Sequence, residues 1–191
     1  MKRIGKVIII FGIILILCGV GLLAYSYIST RAGNIKAEKT VERIEALLPP
    51  ESVGRVDEYN TLEMPSLEID GKNIIALLEI PATGTTLPVE DEWDKDSLNS
   101  FPGRFIGSVY DGSLVVGGRD KKGCFDALKR IDTGSEITIT DMTGTKYTYK
   151  VSEIQRKKSA RGEDLSDEGA ALTLFVRDEG TMDYIIVRCT Q

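Results

Sequence analysis

The feature that most limits this chain is a series of short β-type segments that begins at Asn73. Asn73 to Ile80 is rich in strand formers and stops at Pro81. Thr86 to Val89 is a second short run, and Leu114-Val115-Val116 a third, followed by Gly117-Gly118. Cys124 to Leu128 reads as a short helical turn. In Glu136 to Thr140, Ile137 and Ile139 alternate with Thr138 and Thr140, the period of a half-buried strand. Asp141-Met142-Thr143-Gly144 supplies a turn. Tyr147, Tyr149 and Val151 then alternate with Thr148, Lys150 and Ser152, which completes a hairpin. Arg156 to Gly169 is a charged loop, and Leu172–Val176 and Tyr184–Thr190 are the last two strands. Many short strands closed by turn residues predict a mainly β barrel or sandwich.

The first 71 residues read differently. Val7 to Ile28 is 22 residues without a charge. At about 1.5 Å per residue, a helix of that length crosses a hydrocarbon core of about 30 Å. Lys2, Arg3 and Lys6 precede it, which places the N-terminus in the cytoplasm and the rest outside. The run exceeds a usual signal-peptide core and lacks a clear cleavage site, so an uncleaved anchor is favoured over a cleaved signal. Cys18, inside the run, reads as a small apolar residue in lipid. From Gly33 to Leu48 a helix is expected, because Ala37, Val41, Ile44 and Leu48 form one apolar stripe and Pro49-Pro50 follows. That helix either packs on the domain or a partner, or serves as a stalk. Glu51 to Gly71 is acidic and aperiodic and reads as a linker. The expected organisation is a cytoplasmic tip and transmembrane anchor over residues 1–29, a helix and acidic linker over 30–71, and a β domain over 72–191.

Charge and residue usage remove several function classes. The net charge is −5, but beyond the first 29 residues 21 basic residues face 29 acidic ones. An acidic outer domain argues against nucleic acid, which needs a concentrated basic face. Three cysteines without recurrent spacing support neither a disulfide framework nor a structural zinc site. The chain has no histidine, the commonest general base and metal ligand. No metal or cofactor is expected. Gly117-Gly118 is a strand-end turn rather than a phosphate loop.

Seven segments, in order, resemble the sortase domain. Leu78-Glu79-Ile80-Pro81-Ala82-Thr83-Gly84-Thr85-Thr86-Leu87-Pro88-Val89 is similar to its opening, L-x-I-P-x-x-G-x-x-L-P-V. Phe101-Pro102-Gly103-Arg104 with Gly107-Ser108 resembles P-G-x-Y-x-G-S. Ser113 to Gly118 resembles the strand that ends in A-G-H, and Phe125-Asp126-Ala127-Leu128 the F-G-x-L turn. The hairpin resembles T-D-x-x-G-x-x-Y-T-Y-x-V-x-E-I. Leu172-Thr173-Leu174-Phe175 resembles L-T-L-F-T-C, and Tyr184 to Cys189 resembles R-V-T-V-R-C. The resemblance spans about residues 72 to 190. It implies an eight-stranded β-barrel with short helices, behind one N-terminal transmembrane helix, on the outer face of a Gram-positive membrane.

The family's activity needs three side chains. A cysteine thiolate attacks the carbonyl of a sorting signal such as Leu-Pro-x-Thr-Gly, a histidine moves protons, and an arginine holds the oxyanion. By position these fall on Arg177, Gly118 and Tyr184, so all three are replaced. An arginine is always protonated and is no nucleophile. The remaining thiols are weak substitutes. Cys189 shares a strand face with Ile185 and Val187 and should face the core. Cys124, near Lys121 and Lys122, is a candidate displaced nucleophile, though a structural cysteine is the plainer reading. Asp120 is a candidate base that also reads as a solvated loop acid. Asp120, Arg177 and Asp183 are expected at the groove, with Arg177 paired to Asp120, Asp178 or Asp183. The expectation is a pseudosortase, a membrane-anchored binding or regulatory module in cell-surface protein or pilus assembly. Its partner would be a sorting-signal peptide, a surface protein or an active sortase. The alternatives are a transpeptidase with rearranged catalytic residues and a purely structural subunit of a surface assembly.

Overall fold

Ten strands dominate the computed structural model, which describes residues 13–14, 16–21, 36–50, 52–53, 63–93, 101–166 and 169–191. They are β1 (Ser52–Val53), β2 (Leu67–Ile69), β3 (Lys72–Ile80), β4 (Thr85–Glu90), β5 (Gly103–Ile106), β6 (Leu114–Arg119), β7 (Glu136–Asp141), β8 (Thr145–Lys157), β9 (Leu172–Arg177) and β10 (Tyr184–Thr190). Pairing runs β3–β4–β5–β6–β9–β10–β8–β7, and β7 returns to β3. Those eight strands close a barrel, as expected, and closure removes the free edges an open sheet would expose.

The side-chain pattern explains the closure. Ile137 and Ile139 of β7 and Tyr147, Tyr149 and Val151 of β8 all point inward, into a core with Ile75, Leu78, Leu87, Val116, Leu174 and Val187. The intervening Thr148 and Lys150 face solvent. β6, β9 and β10 differ, because they are buried on both faces. Their second face carries Val115, Phe175 and Ile186, covered by Leu165 of a short helix, α2 (Gly162–Leu165). β6 and β9 run parallel, and two-sided burial is why Leu172–Val176 reads as an unbroken apolar run. The buried carboxylate of Asp141 organises the β7–β8 turn. It accepts the N–H groups of Thr143 at 2.9 Å and Thr145 at 3.0 Å, and the hydroxyl of Tyr110 at 2.9 Å.

Two expectations change. The acidic segment 51–71 is not merely a linker. Its described residues include β1, which pairs in parallel with the start of β8, and β2, which forms a hairpin with β3. Asp70 (φ 52) and Gly71 (φ 76) make that two-residue turn, since both central positions need a left-handed backbone. The charged stretch from Arg156 is also more ordered than a loop. β8 continues to Lys157 because Arg156 and Lys157 still pair with Ile185 and Tyr184.

The helix over residues 36–45, α1, packs on the barrel. Ala37, Val41 and Ile44 bury against Ile69, Ile74, Leu77 and Phe101, and Ile44 is 0% exposed. The Arg43–Asp70 ion pair beside it, at 3.0 Å, is exposed on both sides and contributes little. Within Val7–Ile28, residues 13–14 and 16–21 are helical, and the remainder lies outside the described residues. Among the described residues no helix is long and apolar enough to cross a membrane. If α1 is part of the folded unit, Ile44→Ala should lower unfolding stability by about 2–4 kcal/mol in denaturant titration. A free stalk would leave the midpoint unchanged.

Candidate functional site

The parallel pair β6–β9 forms the floor of a groove on the outer face of the barrel. Register places Gly118 beside Val176 and Arg119 beside Arg177, and on the other side of β9 Tyr184 lies beside Arg177. The structure thus brings Gly118, Arg177 and Tyr184 together at one end of the barrel. They line a cavity of about 490 Å³ with Trp93, Arg119, Asp120, Phe175, Glu179 and Met182. Asp183 does not line it. Its carbonyl instead accepts the N–H of Asp178 at 2.8 Å inside the β9–β10 loop.

Arg177 is exposed, and among the described residues it forms no ion pair, contrary to the expected pairing with Asp120, Asp178 or Asp183. Its Nε donates to the Met182 carbonyl at 3.5 Å, and its guanidinium lies 5.9 Å from the Tyr184 ring centroid, within cation–π range. The physical reason is that the nearby acids are engaged elsewhere. Asp120, whose side chain is 4% exposed, pairs with Lys129 at 2.6 Å and accepts the N–H of Glu179 at 2.9 Å. That bond raises the Lys129 pKa. Asp178 accepts the N–H of Gly180 at 2.9 Å and lies 3.5 Å from Arg156 and 3.9 Å from Lys129. The Gly180 hydrogen bond is the main cause that holds the Asp178 carboxyl below its ordinary pKa. Asp120 is therefore a staple between two loops.

No thiol reaches the groove. Cys124 is buried, its Sγ accepts the Arg119 N–H at 3.2 Å, and burial pushes its pKa up to about 11. The charge of Lys121 pulls the other way but is outweighed. Cys189 faces the core as expected, and burial pushes it to about 12. Both are neutral at physiological pH, and a neutral thiol is a poor nucleophile.

One part of the site was not expected from the sequence. Trp93, Phe105 and Phe175 form an edge-to-face cluster, with ring centroids 5.0 to 5.9 Å apart, against the middle of the groove floor. Gly117 makes this possible, because a Cβ there would sit 2.6 Å from Phe175 Cζ and 2.8 Å from Trp93 Cδ2. On the inner face, a Cβ at Gly118 would sit 2.6 Å from Phe125 Cγ. The buried Phe125 ring thus occupies the space a side chain at 118 would enter. Overpacking of this kind costs about 1–3 kcal/mol. Gly118→Ala should destabilise by that amount in chemical denaturation, and by clearly less in a Phe125→Leu background. Equal costs in both backgrounds would show that the ring is not the obstacle.

A family model, the sortase domain, matches residues 78–185. No curated protein sequence matches the chain. Among solved structures, the fold resembles a Clostridium perfringens sortase D5 transpeptidase (TM-score 0.54, 20% identity, 67% of this chain and 81% of that one). It also resembles the lid mutant of sortase A from Corynebacterium diphtheriae (0.52, 21%, 62% and 69%). A third is C. perfringens sortase C with the C-terminal cell wall sorting motif (0.53, 14%, 72% and 79%). At these identities the structural likeness speaks for the fold alone. The family match covers more than half of the sequence, and the chain belongs to the sortase family.

Proposed function

We propose that this chain is a membrane-anchored sortase-family protein, displayed outside the cell, that has lost transpeptidation and works as a binding or regulatory module in surface-protein or pilus assembly. The observation that carries the proposal is Arg177. By its resemblance to the L-T-L-F-T-C segment, this position corresponds to the family's nucleophile, and a guanidinium cannot attack a carbonyl. Two further features support it. Gly118, at the position of the family's histidine, offers no proton-carrying group, and Phe125 fills the space beside it. The burial of Cys124 and Cys189 speaks against an enzyme with a displaced nucleophile. The anchor rests on the uncharged run Val7–Ile28 and the basic residues before it. A sorting-signal peptide, a surface protein or an active sortase would be the partner.

Incubated with Leu-Pro-x-Thr-Gly peptides and an amine acceptor, the full-length chain should release no cleaved product above the rate in buffer. Turnover that disappears in Cys124→Ala or in Cys189→Ala would identify a displaced nucleophile and reverse the proposal. Turnover that survives the double substitution would refute the assignment of roles altogether.

A further inference from the structure

We propose that the Arg177 end of the groove is a receptor for the terminal carboxylate of a peptide whose last side chain is apolar. The inference rests on the reading that this groove is not catalytic. The floor strands end in two arginines, Arg119 on β6 and Arg177 on β9, which are direct neighbours across the parallel pair and line the same cavity. The domain around them is acidic overall, and Asp120 and Glu179 line the same cavity.

Arg177 is also held ready. The Tyr184 ring and the Met182 carbonyl hold the guanidinium through its Cζ and Nε, and among the described residues no carboxylate pairs with it. The acids on the rim do not supply one. Asp120 is committed to Lys129 and to the Glu179 N–H, and Glu179, which also lines the cavity, forms no ion pair with Arg177. A planar guanidinium with free N–H groups matches a carboxylate through paired hydrogen bonds.

The walls define the rest of the ligand. Trp93, Phe175, Tyr184 and Met182 give an apolar lining. Phe175 lies two residues before Arg177 on the same face of β9, where it meets Trp93 and Phe105 in the aromatic cluster. That cluster blocks the floor just inward of the arginines. A chain that ends there places its carboxylate on Arg177 and its last side chain against the rings. The cavity, about 490 Å³, falls within the range of small-ligand sites.

The test uses the full-length chain and three fluorescein-labelled peptides read by anisotropy: Gly-Ser-Ala-Leu with a free carboxylate, the same peptide as an amide, and Gly-Ser-Asp-Leu as an amide. The free acid should bind roughly tenfold more tightly than its amide, the scale of one charge-assisted pair. The difference should vanish in Arg177→Gln and persist in part in Arg177→Lys. Arg177 is exposed, so both variants should keep the wild-type thermal midpoint. Equal binding of acid and amide, no binding of either, a preference that survives Arg177→Gln, or equally tight binding of the internal-aspartate amide would each overturn the proposal. Cleavage of any peptide would overturn the non-catalytic reading and leave the carboxylate preference to be judged by the same binding data.

Discussion

Two adjacent glycines on β6 let aromatic rings lie directly on its backbone from opposite sides. Phe175 and Trp93 close on Gly117 from outside the barrel, and Phe125 closes on Gly118 from within. Neither contact tolerates a Cβ, so the strand at the centre of the floor is defined by what it lacks. The consequence on the inner side is a sealed core without a side chain at 118. On the outer side an aromatic cluster stands in the groove. Both follow from a dense interior in which a single added carbon forces its neighbours to move.

The rest of the barrel holds that floor in place. β6, β9 and β10 are buried on both faces, and closure through β7 and β3 leaves the eight barrel strands without a free edge. The loops at the end of the floor are tied together by acids. Asp120 joins Lys129 to the β9–β10 loop, and Asp178 caps that loop through Gly180 and meets Arg156 from β8. Within the loop Met182 adopts a left-handed backbone, φ 64, uncommon for a residue with a long side chain. Its carbonyl is the one that holds Arg177. The site therefore spends its carboxylates on shape and leaves its guanidinium facing the cavity.

Much of this was legible in the sequence where the signal is local. The alternation in β7 and β8, the unbroken run in β9 and the stripe on α1 each map onto one face or two, and they fold accordingly. Asp70-Gly71 was also a readable hairpin signal, masked by the acidic composition around it. β5 was not readable, because two of its four residues are exposed and its register on β6 is shifted by a bulge. The aromatic cluster could not be read at all, since residues 93, 105 and 175 meet only after the barrel closes. The same holds for Arg177. Its place at the end of β9 was visible, but the competition for nearby acids was not, because Lys129 and Arg156 reach Asp120 and Asp178 from other elements.

On the proposed reading, the floor of this groove carries no group able to form an acyl-enzyme. Intact-mass spectrometry of the full-length chain, after incubation with a sorting-signal peptide and quenching in acid, addresses it directly. An unchanged mass at every time point is expected. A stable increase by the mass of the acyl fragment, mapped to any residue lining the groove or to Cys124, would contradict it.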